Sequence, residues 1–164
     1  SKMDADDVPL VKNRFDINDM IRKSIIRFED EITRKKLYIN VNFSDETTFV
    51  YANADDIERV LINLIHNAIK FTNEGGTVSI SVELRKNKVY VFVRDNGIGI
   101  DEKHLPRLFE RFYRVDKGRS REQGVTGLGL AIVKHIIEAH NETIDVTSIK
   151  GKETVITFTL KRVG

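Results

Sequence analysis

Apolar positions recur along this chain with two periods. Ile57, Val60, Leu61, Leu64, Ile65, Ala68 and Ile69 follow three- and four-residue steps, the spacing of one buried stripe on an α-helix. They predict a helix over Ala54–Phe71 that ends near Asn73-Glu74-Gly75-Gly76. Ile17, Met20, Ile21, Ile25, Phe28 and Ile32 carry a second stripe to about Lys36. Asp16 is its expected N-cap, Asp19 a weak capping-box partner, and Phe15 with Met20 the hydrophobic staple. Residues 127–139 predict a largely apolar helix, and 102–109 a short one limited by Pro106. Alternation with period two marks strands at 37–43 and around Val78, Ile80, Val82 and Leu84; a short strand at 48–51 and a last hairpin of Ile144–Ile149 with 154–160 are also expected. Residues 89–93 are apolar on both faces, as a central strand should be. Residues 1–14 are polar and aperiodic and are expected to be a linker, with 15–164 forming one domain. The opening Ser1-Lys2-Met3 is expected to begin a piece cut from a longer protein. Helices that alternate with antiparallel hairpins predict an α/β (α+β) two-layer sandwich. Its sheet is mixed and mostly antiparallel with helices on one face, unlike a doubly wound fold.

Composition narrows the function classes. The chain of 164 residues is 40% hydrophobic and 32% charged, fitting a soluble globular domain with a sizeable core. A net charge of +2 is too mild to imply a nucleic-acid partner, and RNA-recognition, zinc-finger and basic-zipper patterns are absent. There is no Cys, hence no disulfide framework and no thiolate metal site. No run of 18 apolar residues and no signal-peptide pattern occur, so no membrane contact is expected of this piece.

The candidate chemistry begins on residues 54–71. Asn63, Asn67 and Lys70 form a second stripe on that helix, roughly 110° around from the apolar one. Asn is a poor mid-helix residue because its amide competes for backbone hydrogen bonds. Two of them in register with a Lys point to a polar ligand; the plainer alternative is an exposed stripe ended by a solvated cation. An amide oxygen suits Mg²⁺, which binds substrate phosphates and keeps several waters, and a Lys one turn on meets a phosphate as a point charge. Two glycine clusters, Asp95-Asn96-Gly97-Ile98-Gly99 and Gly127-Leu128-Gly129, suggest a phosphate or nucleotide site, although neither is a dinucleotide or Walker fingerprint. The first, taken alone, is more often an ordinary turn than a site. The second sets glycines in the first turn of a helix, where an anion can approach backbone N–H groups. Residues 113–124 are a charged loop without apolar period. His66, His104, His135 and His140 lack metal or nucleophile spacing and read as structural or surface residues.

In order, these motifs resemble those of the catalytic ATP-binding domain of bacterial sensor histidine kinases. Asn63-Leu64-Ile65-His66-Asn67-Ala68-Ile69-Lys70-Phe71 is similar to that family's N box, and Asp95-Asn96-Gly97-Ile98-Gly99-Ile100 to its G1 box. Phe109-Glu110-Arg111-Phe112-Tyr113-Arg114 resembles the F box, and Thr126-Gly127-Leu128-Gly129-Leu130 the G2 box. The resemblance implies a Bergerat sandwich, with ATP between the N-box helix and a lid at 115–125. By the same resemblance, Asp95 accepts a hydrogen bond from the adenine amino group and Gly97 and Gly99 let backbone pass close to the nucleotide. Asn67 gives an oxygen to Mg²⁺ with Asn63 in support. Lys70 and Arg114 contact the terminal phosphates, Tyr113 packs near the nucleotide, and Thr126, Gly127, Leu128 and Gly129 bring lid backbone to the phosphates. Asn63, Lys70 and Arg114 are the implied catalytic residues. The implied reaction is transfer of the γ-phosphoryl group of ATP to a histidine of a dimerisation and acceptor domain, and from there to a response regulator. The parent is then a membrane-anchored homodimeric sensor with this part in the cytoplasm.

The acceptor motif, His followed by an acidic residue on a helical hairpin, is absent from this sequence. Val125 stands where the family usually has glycine before Thr126, and His140-Asn141-Glu142 where it usually has a glycine pair, so that turn is expected to differ. The alternatives are a hydrolytic ATPase of the same superfamily, a Ser/Thr kinase of the anti-sigma type, and a nucleotide-binding docking module without activity. Asn63 disfavours hydrolysis, since an amide is a poor base for activating water.

Overall fold

The apolar stripe on residues 54–71 becomes the buried face of a helix with the expected bounds. In the computed structural model, which describes residues 9–113 and 129–164, helix α3 (Ala54–Phe71) buries Ile57, Val60, Leu61, Leu64, Ile65, Ala68 and Ile69. Its N-cap Asn53 accepts from the Asp56 N–H at 2.9 Å, the local bond that makes Asn a favoured cap. Helix α1 (Ile17–Ile26) starts as its sequence predicts, with Asp16 Oδ1 accepting from the Asn18 N–H. The same oxygen accepts from the Thr48 N–H at 3.0 Å, so the cap also fixes the segment leading into the sheet. The stripe that runs on to Lys36 is not one helix. The chain turns at Arg27 and Phe28, and α2 (Glu29–Arg34) follows. Phe28 is buried and stacks on the His66 ring of α3, 5.8 Å between centroids.

Seven strands form one sheet: β1 (Asn13–Asp16), β2 (Tyr38–Phe43), β3 (Phe49–Ala52), β4 (Thr77–Arg85), β5 (Lys88–Asp95), β6 (Ile144–Ile149) and β7 (Glu153–Arg162). The order is β1-β3-β7-β5-β4-β2, with β6 also paired to β7. The β2–β4 pair is parallel and the others are antiparallel. β5 lies between β4 and β7, as a strand apolar on both faces should. Period-two alternation sends Val78, Ile80, Val82, Val89, Val91, Val93, Ile156, Phe158 and Leu160 into the core. Their neighbours Ser81, Phe92 and Thr157, opposite one another in register, point to the other face. α1, α3 and α4 (Gly129–Ala139) pack on the first face. The result is the mixed two-layer sandwich predicted. Asn13 and Arg14, expected in the linker, instead pair with Ala52 and Tyr51, a four-residue match too short to show as a pattern in sequence. No helix among the described residues is long and apolar enough to cross a membrane.

The turn after α4 meets the glycine-pair departure directly. Asn141 takes φ +59°, the left-handed conformation that Asn tolerates best after Gly. The Glu142 N–H then donates to Ile137 O at 3.1 Å, closing the helix as a glycine C′ would. His140, buried, ties this end to α3. Its Nδ1–H donates to Ile136 O at 2.8 Å and its Nε2 accepts from the Asn53 N–H at 3.0 Å, which requires the neutral Nδ1–H tautomer. His140→Ala is expected to cost about 2–3 kcal/mol, because it opens a cavity and leaves the half-buried Asn53 N–H without its partner. Urea unfolding measures this, and a change below about 0.5 kcal/mol, the scale of a surface substitution, would refute the tie.

Candidate functional site

A helix leaves its last four carbonyls without intrahelical partners, and at α3 each finds one from another part of the chain or its cap. Ala68 O accepts from Thr72 Oγ1 at 2.6 Å. Ile69 O and Lys70 O accept from Lys35 Nζ at 2.7 and 3.2 Å. Phe71 O accepts from the Ile98 N–H at 3.2 Å. That last bond joins the N-box helix to the glycine loop that follows β5. On its far side the loop meets the β6–β7 hairpin. Gly151 N–H donates to Ile98 O at 2.6 Å and Ile100 N–H to Ser148 Oγ at 2.7 Å.

The two loop glycines are required by these contacts. A Cβ at Gly97 would lie 2.1 Å from Phe71 O, and one at Gly99 would lie 2.2 Å from Ile149 O. Both are backbone atoms, so contact of protein with protein already requires glycine at each position. Gly129 differs, since a Cβ there would stand 3.5 Å from Asn63 Oδ1, an ordinary contact. The start of α4 and the first Asn of the stripe are therefore neighbours.

Asp95 ends β5 in register with Val78 and Thr154. It is 7% exposed, and its Oδ1 accepts from the Gly97 N–H at 2.9 Å. Burial pushes its carboxyl up to about 6 against the pull of that hydrogen bond, with the charge of Glu153 adding to the rise. Asp95 is thus a carboxylate held at a cost, which is a mark of functional positions. Asn63, Asn67 and Lys70 are half-buried along the edge of α3, as their stripe predicts, while His66 is exposed. The His66 ring lies on Phe28, and loss of water on that side lowers its pKa, with Lys70 adding to the fall. Tyr113 is half-buried, with its hydroxyl bonded to His104 Nδ1 and the Arg107 guanidinium 4.5 Å from its ring centroid. Arg114, Thr126, Gly127 and Leu128, and the expected lid at 115–125, lie outside the described residues.

The donor set fits Mg²⁺ held jointly with phosphates. The stripe offers the amide oxygens of Asn63 and Asn67, and no group of three His, Cys, Asp or Glu among the described residues could hold a metal ion. Such a pair suits a cation that keeps waters and takes its remaining ligands from substrate. Nothing in the sequence points to Lys35, and His104, expected to be a structural or surface histidine, bonds Tyr113. Each serves a partner, the end of α3 and Tyr113, that lies beyond the reach of local periodicity.

Residues 52–164 match the family model described as histidine kinase-, DNA gyrase B-, and HSP90-like ATPase. The sensor histidine kinase WalK of Bacillus subtilis (strain 168) is 41% identical over 162 residues, covering 98% of this chain and 26% of its own length. The sensor protein kinase WalK of Staphylococcus aureus (strain MRSA252) is 38% identical over 164 residues, with the same two shares. The chain therefore spans about a quarter of the length of these curated relatives. Among solved structures, the catalytic domain of histidine kinase ThkA matches with a TM-score of 0.83 at 31% identity, covering 93% of this chain and 97% of that one. ThkA in complex with the response regulator protein TrrA matches with a TM-score of 0.79 at 29% identity, covering 94% of this chain and 42% of that one. The sheet order, the carboxylate at the end of β5, the amide-bearing helix and these matches together make the chain a member of the histidine kinase-, DNA gyrase B- and HSP90-like ATPase family, on its bacterial sensor histidine kinase branch, with the Bergerat fold.

Proposed function

We propose that this chain binds ATP with Mg²⁺ along α3 and transfers the γ-phosphoryl group to a histidine on a separate dimerisation and acceptor domain of its parent kinase. The observation that carries this reading is the bond from the Ile98 N–H to Phe71 O. It joins the loop of the buried Asp95 to the end of the helix that bears Asn67 and Lys70. Asp95 accepts from the adenine amino group, which gives base specificity. Asn67, with Asn63 beside it, supplies amide oxygen to the cation, and Mg²⁺ when bound neutralises phosphate charge. Lys70 and Arg114 contact the terminal phosphates, Tyr113 packs near the nucleotide, and Thr126, Gly127, Leu128 and Gly129 bring backbone amides to the phosphates.

Phosphoryl transfer passes through a loose transition state, so these groups act by positioning and charge neutralisation. The histidine nitrogen forms a bond to the γ-phosphorus while the bond to the bridging oxygen breaks, and ADP leaves. Asn63 is an amide where a hydrolytic enzyme needs a base, which supports transfer over hydrolysis. The phosphoryl group then passes to a cognate response regulator, a reading supported by the solved complex of ThkA with TrrA. The catalytic domain on this reading takes in β1 and so starts by Asn13 rather than at 15, and it works in the cytoplasm beneath a membrane-anchored homodimeric parent.

The test mixes the chain with a helical-hairpin fragment bearing a His followed by an acidic residue, together with γ-labelled ATP. Acid-labile, base-stable label on the hairpin is expected, and Asn67→Ala should reduce it by about 100-fold or more, the scale of losing one preorganised electrostatic contact. Steady release of phosphate with no labelled hairpin would replace this function with hydrolysis. Nucleotide binding with neither outcome would make the chain a docking module.

A further inference from the structure

Lys35 sits where the end of α2 meets the end of α3. Lys36 takes φ +55°, and the Leu37 N–H donates to Ile32 O at 3.0 Å, a six-to-one closure of the kind that ends helices. Leu37 is buried by this turn. The segment then runs beside the turn that follows α3, with the Gly75 N–H donating to Lys35 O at 2.9 Å and the Tyr38 N–H to Gly76 O at 2.9 Å. Lys35 is thus held by its own backbone, half-buried, before its side chain reaches any partner.

Its ammonium then meets Ile69 O at 2.7 Å and Lys70 O at 3.2 Å. The Thr72 N–H reaches Ile69 O only at 3.4 Å, a poor bond, so the cation supplies the close contact at that carbonyl. A cation here also opposes the negative end of the helix dipole. One of the two carbonyls belongs to Lys70 itself, and the next, Phe71 O, carries the bond to the glycine loop.

We propose that Lys35 is a positioning residue for the phosphate end of the site, holding the last turn of α3 so that the Lys70 side chain leaves from a fixed backbone. The inference rests on Lys70 meeting the terminal phosphates, as proposed above. A general stabiliser of the fold would weaken every ligand alike. A residue that acts through Lys70 should weaken ATP more than ADP, and should do nothing once the Lys70 ammonium is gone.

The test is a double-mutant cycle on the chain itself, with ATP and ADP affinities measured by calorimetry with Mg²⁺ present. Lys35→Met keeps the apolar stem and removes the donor. It is expected to weaken ATP about 10-fold and ADP less than about 3-fold, as loss of one charge-assisted contact would. In a Lys70→Met background the same change should alter ATP affinity less than about 2-fold, because residues acting as one unit are not additive. Thermal melts establish that each variant is folded at the assay temperature. Should Lys35→Met not fold, Lys35→Gln, which can bond one carbonyl without charge, takes its place under the same criteria. Equal weakening of ATP and ADP, or the same loss with and without the Lys70 ammonium, overturns the inference while leaving the Lys70 role standing. If Lys70→Met alone leaves ATP affinity unchanged, the role of Lys70 falls, and the inference with it.

Discussion

Asp95→Asn is expected to stabilise the nucleotide-free domain and to weaken ATP binding greatly. The carboxyl titrates near 6 in the folded chain because burial disfavours its charge, whereas an unfolded Asp titrates near 3.9. The folded state thus binds this proton more tightly than the unfolded one. Where folded pKa exceeds unfolded pKa, stability falls as pH rises between the two and stays reduced above. At neutral pH Asp95 is therefore an ionised, mostly buried group that destabilises the fold. Asn keeps an oxygen for the Gly97 N–H and removes the charge, but adds an amino group that needs its own acceptor. The net gain at pH 7.5 should be about 1 kcal/mol, or about 2–4 °C in melting temperature for a chain of this size. The advantage should shrink at pH 5, where the wild-type carboxyl is largely protonated. Binding should move the other way. An adenine amino group facing an amide that can turn its own donor toward it loses a buried charge-assisted bond, and ATP affinity should fall by about 100-fold or more. Melting curves at pH 5 and 7.5 with nucleotide calorimetry at pH 7.5 measure both effects. Equal melting temperatures at both pH values would remove the strained carboxylate, and retained affinity would remove the adenine contact.

That opposition bears on what sequence can reveal. Asp95 reads as a turn residue in Asp-Asn-Gly, and nothing local says that it is buried. The burial comes from pairing with β4 on one side and β7 on the other, opposite Val78 and Thr154, contacts 17 and 59 positions away in the chain. Helix α3 was legible to its ends, because an 18-residue amphipathic period with an Asn cap leaves few alternatives. The break between α1 and α2 was not. Ile25, Phe28 and Ile32 keep helical spacing across it, and no Gly or Pro marks the turn. Strand β1 is four residues, too short for period two to stand out against chance, whereas β3, equally short, is marked to within one residue at 48–51. The stripe of Asn63, Asn67 and Lys70 was legible as a departure from helix propensity, whereas Lys35 was invisible for the opposite reason. A lysine at a helix end is an expected solvated cation, and the carbonyls it serves lie 34 and 35 positions away.

In the glycine loop the contact of protein with protein is by itself a reason for glycine, and Gly99→Ala tests it. Gly99 holds φ +70°, where a Cβ costs roughly 1–2 kcal/mol on conformational grounds. That Cβ would also stand 2.2 Å from Ile149 O and 2.8 Å from both Gly151 N and Lys150 Cα. None of these is the end of a flexible side chain, so the hairpin itself must move, at an overpacking cost of about 1–3 kcal/mol. The sum, about 2–5 kcal/mol, should appear in urea unfolding of the nucleotide-free chain. Gly151→Ala is the control. It holds φ +80° with nothing within 4 Å of where the added methyl would stand, so conformational strain alone applies and the loss should stay near 1–2 kcal/mol. If the glycines serve nucleotide approach alone, both variants should unfold alike and differ only in ATP affinity. If protein contact requires Gly99, its variant should be the less stable before any nucleotide is added. In that case the hairpin retreats from Ile98 O, the bond from Gly151 N–H is lost, and the loop carrying Asp95 loses the support that aims it at the adenine.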